Sequence, residues 1–305
     1  MRLHFIVNER AGNGRGATVF ASIQQTLTSP YDVHKTMAPH HATAIVEQIA
    51  RMPGEHVCIV IGGDGTIHEA IQGAVGKSHM IIGVMNGGSG NDFGRGFGAF
   101  ETAADIEQFL RMPMTTIEDA GILTKTETCY FMNNIGYGVD AKIVYEVNRS
   151  PLKKLLNRLK MGSLIYPYIL VQEVLKFKPF DVVVEYEGKK ELHKGVWVTT
   201  VSNQPFIGGG MKISPHSMSN DGRLELTIVE NISALKIVLV FGTLFSGKHL
   251  MFKKNVKQLS AKSFHMTYSK AVQGHADGED IGMSDAPVMV TVAPEGFRLA
   301  RKMLD

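Results

Sequence analysis

The sequence contains few cysteines, no long apolar run and no strong excess of charge of either sign. Only two cysteines occur in 305 residues, Cys58 and Cys129, and they lie far apart in the chain. This separation provides neither the clustered spacing of a zinc site nor a framework of disulfides. We therefore expect a protein of a reducing compartment such as the cytoplasm, without a zinc site.

The apolar runs and the charge exclude two further classes. The longest apolar run, Ile237 to Ser246, covers about ten residues, roughly half of a bilayer span. Met1 to Phe5 leads directly into a predicted strand, so we expect no secretory leader. The net charge of +3 is too small to indicate nucleic acid as a partner but is compatible with an anionic membrane surface. A hydrophobic fraction of 44% with 20% charged residues is typical of a globular protein.

The most informative stretch is a β-branched run that ends in glycines. Val57 to Ile61 is followed at once by Gly-Gly-Asp-Gly-Thr at 62–66 and then by a helical pattern. This order predicts a buried parallel strand, a tight loop and a helix from Ile67 to Val75. Glycine amides and the positive end of a helix dipole favour an anion such as phosphate. Asp64 fits beside a phosphate if a divalent cation lies between them.

Two more glycine-rich loops follow predicted strands in the same way. One begins at Asn8, after a strand at 3–7, and the other reads Asn-Gly-Gly-Ser-Gly-Asn-Asp-Phe at 86–93, after a strand at 80–84. Loops that follow parallel strands meet at one edge of the sheet. We therefore expect the three loops to form one ligand-binding edge. Thr36 follows a predicted strand at 31–35, so we expect it at the same edge. Thr66 and Glu69 have the spacing of a capping box, and the alternative role of Asp92 is a helix N-cap.

The predicted secondary-structure pattern changes near residue 120. Strands and helices alternate before that point, and short β-like runs separated by turns follow it, at 180–186, 195–201, 223–229, 263–268 and 288–292. The change predicts two domains. The first, residues 1–121, is an α/β nucleotide-binding domain of the Rossmann type, and the second, residues 122–296, is an antiparallel β-sandwich.

These motifs resemble those of the diacylglycerol kinase catalytic-domain family, which includes bacterial lipid kinases and sphingosine kinases and has the NAD kinases as distant relatives. The loops at 62–66 and 89–93 resemble its nucleotide loops, with Ser89 where a threonine is usual. The segment Phe-Met-Asn-Asn-Ile-Gly-Tyr-Gly-Val-Asp-Ala at 131–141 and the segment 203–224 resemble later signatures, and Asp-Gly-Glu at 277–279 resembles its acidic triplet. The matches run from Asn8 to Glu279, nearly the whole chain.

The resemblance implies an ATP-dependent lipid kinase of phospholipid metabolism, with its active site in the cleft between the domains. It implies that Glu279 is the general base, that Asp64 and Asp92 hold the Mg²⁺ bound to ATP, and that residues 297–305 return to the first domain. It implies an enzyme that is cytoplasmic and peripheral at the inner face of the membrane. The residues assigned in this way to the nucleotide are Asn8, Gly12, Thr36, Gly62, Gly63, Asp64, Gly65, Thr66, Glu69, Ser89, Gly90 and Asn91.

A structural magnesium site is implied in the second domain, with the Asp221 carboxylate and the backbone carbonyls of Met218 and Arg223 as ligands. An Asp-Gly turn without metal is the alternative there. His68 departs from the family pattern, which usually has asparagine at that position. A basic amphipathic segment at 152–160 has the pattern of a helix that lies on an anionic membrane, or of one that packs its leucines on the core.

Two other functions stay open. One is an NAD kinase, which shares the 62–66 loop. The other is a nucleotide-binding regulatory protein that has lost catalysis, which His68 favours and the intact Asp64 and Glu279 oppose. The partners we expect are ATP and a lipid at the membrane surface, without nucleic acid, and a homodimer is left open. The lipid is not identified, because apolar pocket walls leave little trace in a sequence.

Overall fold

A computed structural model describes residues 1–124, 128–150 and 165–302. The first domain is a layer of strands covered by helices on both faces. Its strands in the first part of the chain are β1 (Arg2–Val7), β2 (Tyr31–Lys35), β3 (His56–Gly62), β4 (Met80–Asn86) and β5 (Thr115–Glu118). Its helices are α1 (Arg15–Gln24), α2 (His41–Ile49), α3 (Asp64–Gln72), α4 (Asp92–Phe97) and α5 (Ala103–Arg111).

β3 lies at the centre of this domain because both of its faces are apolar. Its residues alternate between the two sides of the sheet, so Val57 and Ile59 pack with α1 and α5, while Cys58 and Val60 pack with α2, α3 and α4. β1, β2, β3 and β4 are parallel. Their carboxyl ends, and hence the loops that follow them, therefore share one edge of the sheet.

In the described part of the second domain, eleven strands form an antiparallel sheet around an apolar core of its own. Its strands are β6 (Gly121–Thr124), β7 (Thr128–Phe131), β8 (Asn134–Gly138), β9 (Phe180–Tyr186), β10 (Lys189–Ser202), β13 (Leu224–Glu230), β14 (Val256–Ala261), β15 (Ser263–Tyr268), β16 (Val272–Ala276), β17 (Glu279–Ser284) and β18 (Val288–Val292). A short hairpin of β11 (Phe206–Ile207) and β12 (Met211–Lys212) lies outside this sheet. The expected class, an α/β domain followed by a β-sandwich-like domain, is confirmed.

Among the described residues, three α-helices cover the second domain: α6 (Val139–Arg149), α7 (Ile165–Lys176) and α8 (Ala234–Thr243). Their inner faces share a separate apolar cluster with Trp197 and Val229. No helix in the parts of the chain described above has the length and apolar character needed to cross a bilayer. The segment 152–160, for which a basic amphipathic helix was predicted, lies outside the described residues.

The last strand, β19 (Phe297–Ala300), belongs to the sheet of the first domain. It pairs in parallel with β4 and antiparallel with β5, which gives the strand order β2-β1-β3-β4-β19-β5. The ring of Phe297 lies 6.4 Å from that of Phe93 and 6.1 Å from that of Phe97, centroid to centroid. The end of the chain thus supports the helix that follows the third glycine-rich loop.

The start of α3 corrects one prediction. The helix begins at Asp64 with Gly63 as its N-cap, so the capping box predicted for Thr66 and Glu69 is wrong. The Thr66 hydroxyl instead accepts a hydrogen bond from the Asn8 side-chain amide at 2.9 Å. The Glu69 carboxylate accepts one from the backbone N–H of Ala42, in α2, at 3.2 Å. Both side chains therefore join α3 to neighbouring elements rather than closing its first turn.

Candidate active site

The three glycine-rich loops contact one another at the carboxyl edge of the parallel sheet. Gly12 has a φ of +56°, and a Cβ at this position would lie 2.4 Å from the carbonyl oxygen of Gly87. A Cβ on Gly88 would lie 2.4 Å from the Cα of Gly63. Backbone approaches this close exclude any side chain. The glycines are therefore required where the loops pack together, and the edge predicted from the sequence is formed.

The other residues predicted to bind nucleotide lie around this edge. The hydrogen bond from Asn8 to Thr66 joins the first loop to α3. The backbone N–H of Thr36 donates to the carbonyl of Val7 at 3.0 Å, which places Thr36 where β1 ends. Ser89 is exposed in the third loop. The carboxylate of Glu69, in contrast, is directed to α2, so its contacts are those of a residue that holds two helices together.

Two carboxylates lie at this edge, the half-buried Asp64 and the buried Asp92. Asp64 Oδ1 accepts the backbone N–H of Phe93 at 2.9 Å, and a Cβ on Gly90 would lie 2.7 Å from Asp64 Oδ2. Burial raises the pKa of Asp64, and the charge of Asp92 raises it further. A pair of carboxylates that is difficult to ionise is stabilised by a nearby cation.

Asp92 also contacts the second domain. Its Oδ2 accepts the backbone N–H of Gly209 at 2.7 Å, and its Oδ1 lies 2.9 Å from the guanidinium of Arg95. Burial raises the pKa of Asp92 in spite of these donors. Asn91, with a φ of +56°, is the N-cap of α4, so the alternative role of Asp92 as an N-cap is excluded. Asp92 therefore connects the third loop to the segment between β11 and β12.

Glu279 faces the 62–66 loop from the second domain. It opens β17, and its Oε1 lies 3.6 Å from the position that a Cβ on Gly65 would occupy. Gly65 is the second residue of α3, directly after Asp64. The Glu279 side chain is exposed to solvent. The acidic triplet and the glycine loops thus meet across one interdomain cleft.

Asp277 holds the turn that presents Glu279. Its side chain is buried, with 1% exposed, and its carboxylate accepts the backbone N–H groups of Met132, Asn133 and Asn134 at 2.7, 2.8 and 2.9 Å. It also accepts a hydrogen bond from His68 Nδ1 at 2.7 Å. Because His68 is in α3, this last bond joins the two domains beside the cleft.

The contact between His68 and Asp277 shifts the pKa of both residues. Burial by itself lowers the pKa of His68, but the hydrogen bond and charge of Asp277, with Glu279 and Glu69 adding, raise it above its ordinary value. Burial by itself raises the pKa of Asp277, but His68 and the backbone N–H groups lower it. Both shifts favour the charged form of the residue concerned. Sequence reasoning singled out both residues, His68 as a departure and Asp277 as part of a motif, but not their contact.

A polar group to which the sequence analysis gave no role lines an apolar cavity in the second domain. Asp140 Oδ2 accepts the Thr200 hydroxyl at 3.1 Å and lies 3.4 Å from His275 Nε2. Asp140 and Thr200 line the cavity, whose other walls include Ile143, Val198, Gly208, Ile213, Phe241 and Leu244. Gly208 is next to Gly209, the donor to Asp92, so this cavity adjoins the cleft.

The predicted structural magnesium site lies on the loop before β13. The backbone N–H of Arg223 donates to Asp221 Oδ1 at 2.9 Å, and that of Gly222 donates to Asp119 Oδ2 at 2.8 Å. Burial and the charge of Asp221 raise the pKa of Asp119. Among the described residues, no group of three or more His, Cys, Asp or Glu is suited to a metal. A site made of one carboxylate and the Met218 and Arg223 carbonyls stays a prediction.

Comparisons with known proteins agree with this geometry. Residues 2–120 match the family model described as diacylglycerol kinase catalytic domain, and residues 133–301 match the model described as YegS C-terminal NAD kinase beta sandwich-like domain. A relative from Bacillus subtilis strain 168, YtlR, named as a candidate lipid kinase, is 31% identical over 97% of this chain and 98% of its own. A protein from the same strain named diacylglycerol kinase is 29% identical over 82% of this chain and 79% of its own.

Solved structures share the fold. A candidate diacylglycerol kinase from Bacillus anthracis superposes with a TM-score of 0.74 at 20% identity, over 98% of this chain and 94% of that one. An NAD kinase from Archaeoglobus fulgidus in complex with ATP superposes with a TM-score of 0.53 at 11% identity, over 99% and 94%. At these identities the likeness concerns the fold alone. The sequence matches decide the family: the chain belongs to the diacylglycerol kinase catalytic-domain family.

Proposed function

We propose that this protein is an ATP-dependent lipid kinase, which transfers the γ-phosphoryl group of ATP to a hydroxyl of diacylglycerol or a related lipid. The observation that carries the proposal is the position of Glu279, whose carboxylate lies across the cleft against Gly65, the residue after Asp64. A carboxylate that faces a phosphate-binding loop is placed to act on a hydroxyl held between them. Membership of a kinase family implies the use of ATP.

The residues around the cleft fit a magnesium-bound triphosphate. The glycine loops have no side chains that would keep a phosphate away from the backbone, and α3 begins at Asp64 with the positive end of its dipole. Mg²⁺ usually takes one or two carboxylates together with phosphate oxygens, so the pair of Asp64 and Asp92 is sufficient. When bound, the ion neutralises charge on the phosphates. The roles of Asn8, Thr36 and Ser89 at the nucleotide stay predictions.

Glu279 acts as the general base in this proposal. Its carboxylate accepts the proton of the lipid hydroxyl while the hydroxyl oxygen bonds to the γ-phosphorus and the bond to the bridging oxygen of ADP breaks. The products are the phosphorylated lipid and ADP. The exposed position of Glu279 in the open cleft leaves room for the acceptor.

The cavity in the second domain is the candidate site for the lipid. Its apolar walls suit an acyl chain, and Asp140 and Thr200 suit a polar group of the lipid. In this structure the cavity measures about 60 Å³, whereas small-molecule sites typically hold about 300 to 1,000 Å³. We infer that a wall moves when the lipid binds, and that the enzyme works in the cytoplasm at the inner face of the membrane.

Replacing Glu279 with glutamine tests the base. Glu279→Gln keeps the shape of the side chain and removes the proton acceptor, so we expect kcat to fall by a factor of about a hundred or more while ATP affinity stays nearly unchanged. Asp280→Asn is the matched control, since Asp280 is the neighbouring acidic residue on the same strand and is exposed. The measurement is transfer of radiolabelled phosphate with ATP binding by calorimetry. Equal turnover of wild type and Glu279→Gln would contradict the assignment.

A panel of acceptors tests the reaction itself. Wild-type protein with Mg²⁺ and labelled ATP is incubated separately with diacylglycerol, monoacylglycerol, sphingosine, ceramide and NAD. Labelling of a lipid supports the proposal. Labelling of NAD alone establishes the NAD kinase, and binding of ATP without labelling of any acceptor establishes the regulatory protein.

A further inference from the structure

α7 and α8 each show an apolar stripe to solvent in addition to their buried faces. In α7 the outward stripe consists of Tyr168, Val171 and Leu175, which are 53%, 47% and 76% exposed. In α8 it consists of Leu235 and Leu239, which are 79% and 62% exposed. Two short 3-10 helices after α8 add Phe245 and Met251. These seven side chains are called the α7–α8 face below.

The fold of the second domain does not need this face. The opposite sides of the two helices, with Ile169, Val174, Ile237 and Val240, already fill the apolar cluster against the sheet. The two helices pack against each other, so their outward stripes are neighbours. Exposed apolar side chains that are contiguous and not required by the core mark a surface for interaction.

The charge around the face identifies the kind of partner. The segment 231–257, which carries α8 and the two 3-10 helices, contains five lysines and no aspartate or glutamate. Its charge of +5 exceeds the net +3 of the whole chain, so the remaining residues are net acidic. Lys178 adds a cation just after α7, and Lys176, at the end of that helix, lies 3.9 Å from the carboxylate of the buried Glu173. A second copy of this chain would bring the same positive charge to a two-fold contact, which disfavours it.

An anionic bilayer satisfies both features. Apolar side chains enter the boundary between headgroups and acyl chains, while lysines remain at the level of the phosphates. α8 also contributes Phe241 to the wall of the apolar cavity, on its side away from Leu239. This helix is therefore a partition between the cavity and the α7–α8 face.

We propose that the α7–α8 face is the surface by which this protein lies on an anionic membrane, with α8 between the bilayer and the cavity. The proposal rests on the lipid kinase function in that docking there brings a lipid substrate beside the cavity. The cavity in turn adjoins the cleft, because Gly208 in its wall precedes Gly209, which donates to Asp92.

Vesicle sedimentation tests the proposal. Wild-type protein is mixed with vesicles of phosphatidylcholine containing about one third phosphatidylglycerol, and with vesicles of phosphatidylcholine alone. The double variant Leu235→Glu with Leu239→Glu places two carboxylates in the face, and we expect its binding to the anionic vesicles to fall about tenfold or more. The matched control is Ile117→Glu, since Ile117 is an equally exposed apolar residue, 69%, on β5 of the other domain.

A second pair of variants separates charge from apolar contact. Lys253→Glu with Lys254→Glu is expected to reduce binding to the anionic vesicles and to leave the weaker binding to phosphatidylcholine nearly unchanged. Circular dichroism and thermal melting of every variant should match the wild type, because all the substituted residues are exposed.

The outcomes that overturn the proposal are distinct. Wild type that does not bind the anionic vesicles overturns it, as does a double variant that binds like the wild type. A wild-type dimer in sedimentation velocity that the double variant dissociates would make the face an interface between copies. Phosphorylation of a short-chain diacylglycerol dispersed in water should be unchanged in the double variant. If the double variant loses vesicle binding while neither it nor the wild type phosphorylates any lipid, the docking proposal is supported and the lipid kinase function is refuted.

Discussion

His68 of α3 and Asp277 of the turn between β16 and β17 form the bond that joins the two halves of the active site. They are separated by 209 residues, and the Nδ1 to Oδ2 distance is 2.7 Å. Asp277 also accepts hydrogen bonds from the backbone N–H groups just before and at the start of β8. Glu279 lies two residues further along the chain. The family usually has asparagine at this position, and in this chain His68 donates a hydrogen bond to Asp277 there. The departure from the family pattern therefore has a structural reason.

Removing the His68 side chain should disturb the cleft. His68→Ala leaves the buried Asp277 carboxylate without this hydrogen-bond donor, which costs about 1 to 3 kcal/mol of the free energy of unfolding. We expect kcat to fall about tenfold, because the turn that carries Glu279 loses one anchor. His68→Asn supplies an amide donor and should restore most of the unfolding free energy and most of kcat. Denaturant unfolding and phosphate transfer are the measurements, and a His68→Ala enzyme with wild-type kcat would show that the bond does not position Glu279.

The same pair predicts a dependence of stability on pH. The pKa of His68 is raised above 6.5, so its contribution is complete below about pH 6.5 and is lost as the pH rises through the higher folded value. The pKa of Asp277 is lowered below 3.8, so its contribution is complete above about pH 4 and is lost as the pH falls further. The difference in unfolding free energy between wild type and His68→Asn should therefore be larger at pH 5.5 than at pH 8.5. Equal differences at the two pH values would place the ionisation elsewhere.

At the scale of elements, local sequence patterns predicted several strands and the loops that follow them. β2, β9, β15 and β18 have the bounds expected from their alternating or β-branched runs. The start of α3 was not predictable in the same way. Gly63 caps the helix without a side chain, and Thr66 and Glu69, which have the spacing of a capping box, are engaged by Asn8 and Ala42. Partners that come from other elements are not visible in a local pattern.

Gly12 and Gly14 allow a matched test of the contact between loops. Both have a positive φ, +56° and +95°, but a Cβ on Gly12 would meet Gly87, whereas one on Gly14 would meet nothing within 4 Å. We expect Gly14→Ala to cost about 1 kcal/mol of stability, from backbone strain alone. Gly12→Ala should cost about 2 kcal/mol or more and weaken ATP binding at least about tenfold, because the first and third loops must separate. Denaturant unfolding and calorimetry with ATP measure both, and equal effects of the two substitutions would contradict the role of the contact.

At the scale of the whole molecule, the two domains are connected more closely than their order in the sequence indicates. The change in predicted secondary-structure pattern near residue 120 indicated two types of domain. The family resemblance predicted that the end of the chain returns to the first domain. The sequence alone did not predict that β19 would lie between β4 and β5, inside the first sheet, because strand order is set by tertiary packing. Hydrogen bonds from His68 to Asp277 and from Gly209 to Asp92 also cross between the domains. We infer that the domains unfold together.

Phe297 and the single tryptophan provide the test of that inference. Phe297 is buried in the first domain against Phe93 and Phe97, so Phe297→Ala should lower the free energy of unfolding by about 3 to 5 kcal/mol. Trp197 is buried in the second domain and reports its unfolding by fluorescence, while far-UV circular dichroism reports both domains. In urea we expect Phe297→Ala to lower the midpoints of the two signals equally, and Met289→Ala, at an exposed position of β18, to change neither. A fluorescence midpoint that stays at the wild-type value would mean that the second domain keeps its fold after the first is lost, and that the bonds across the cleft are too weak to couple them.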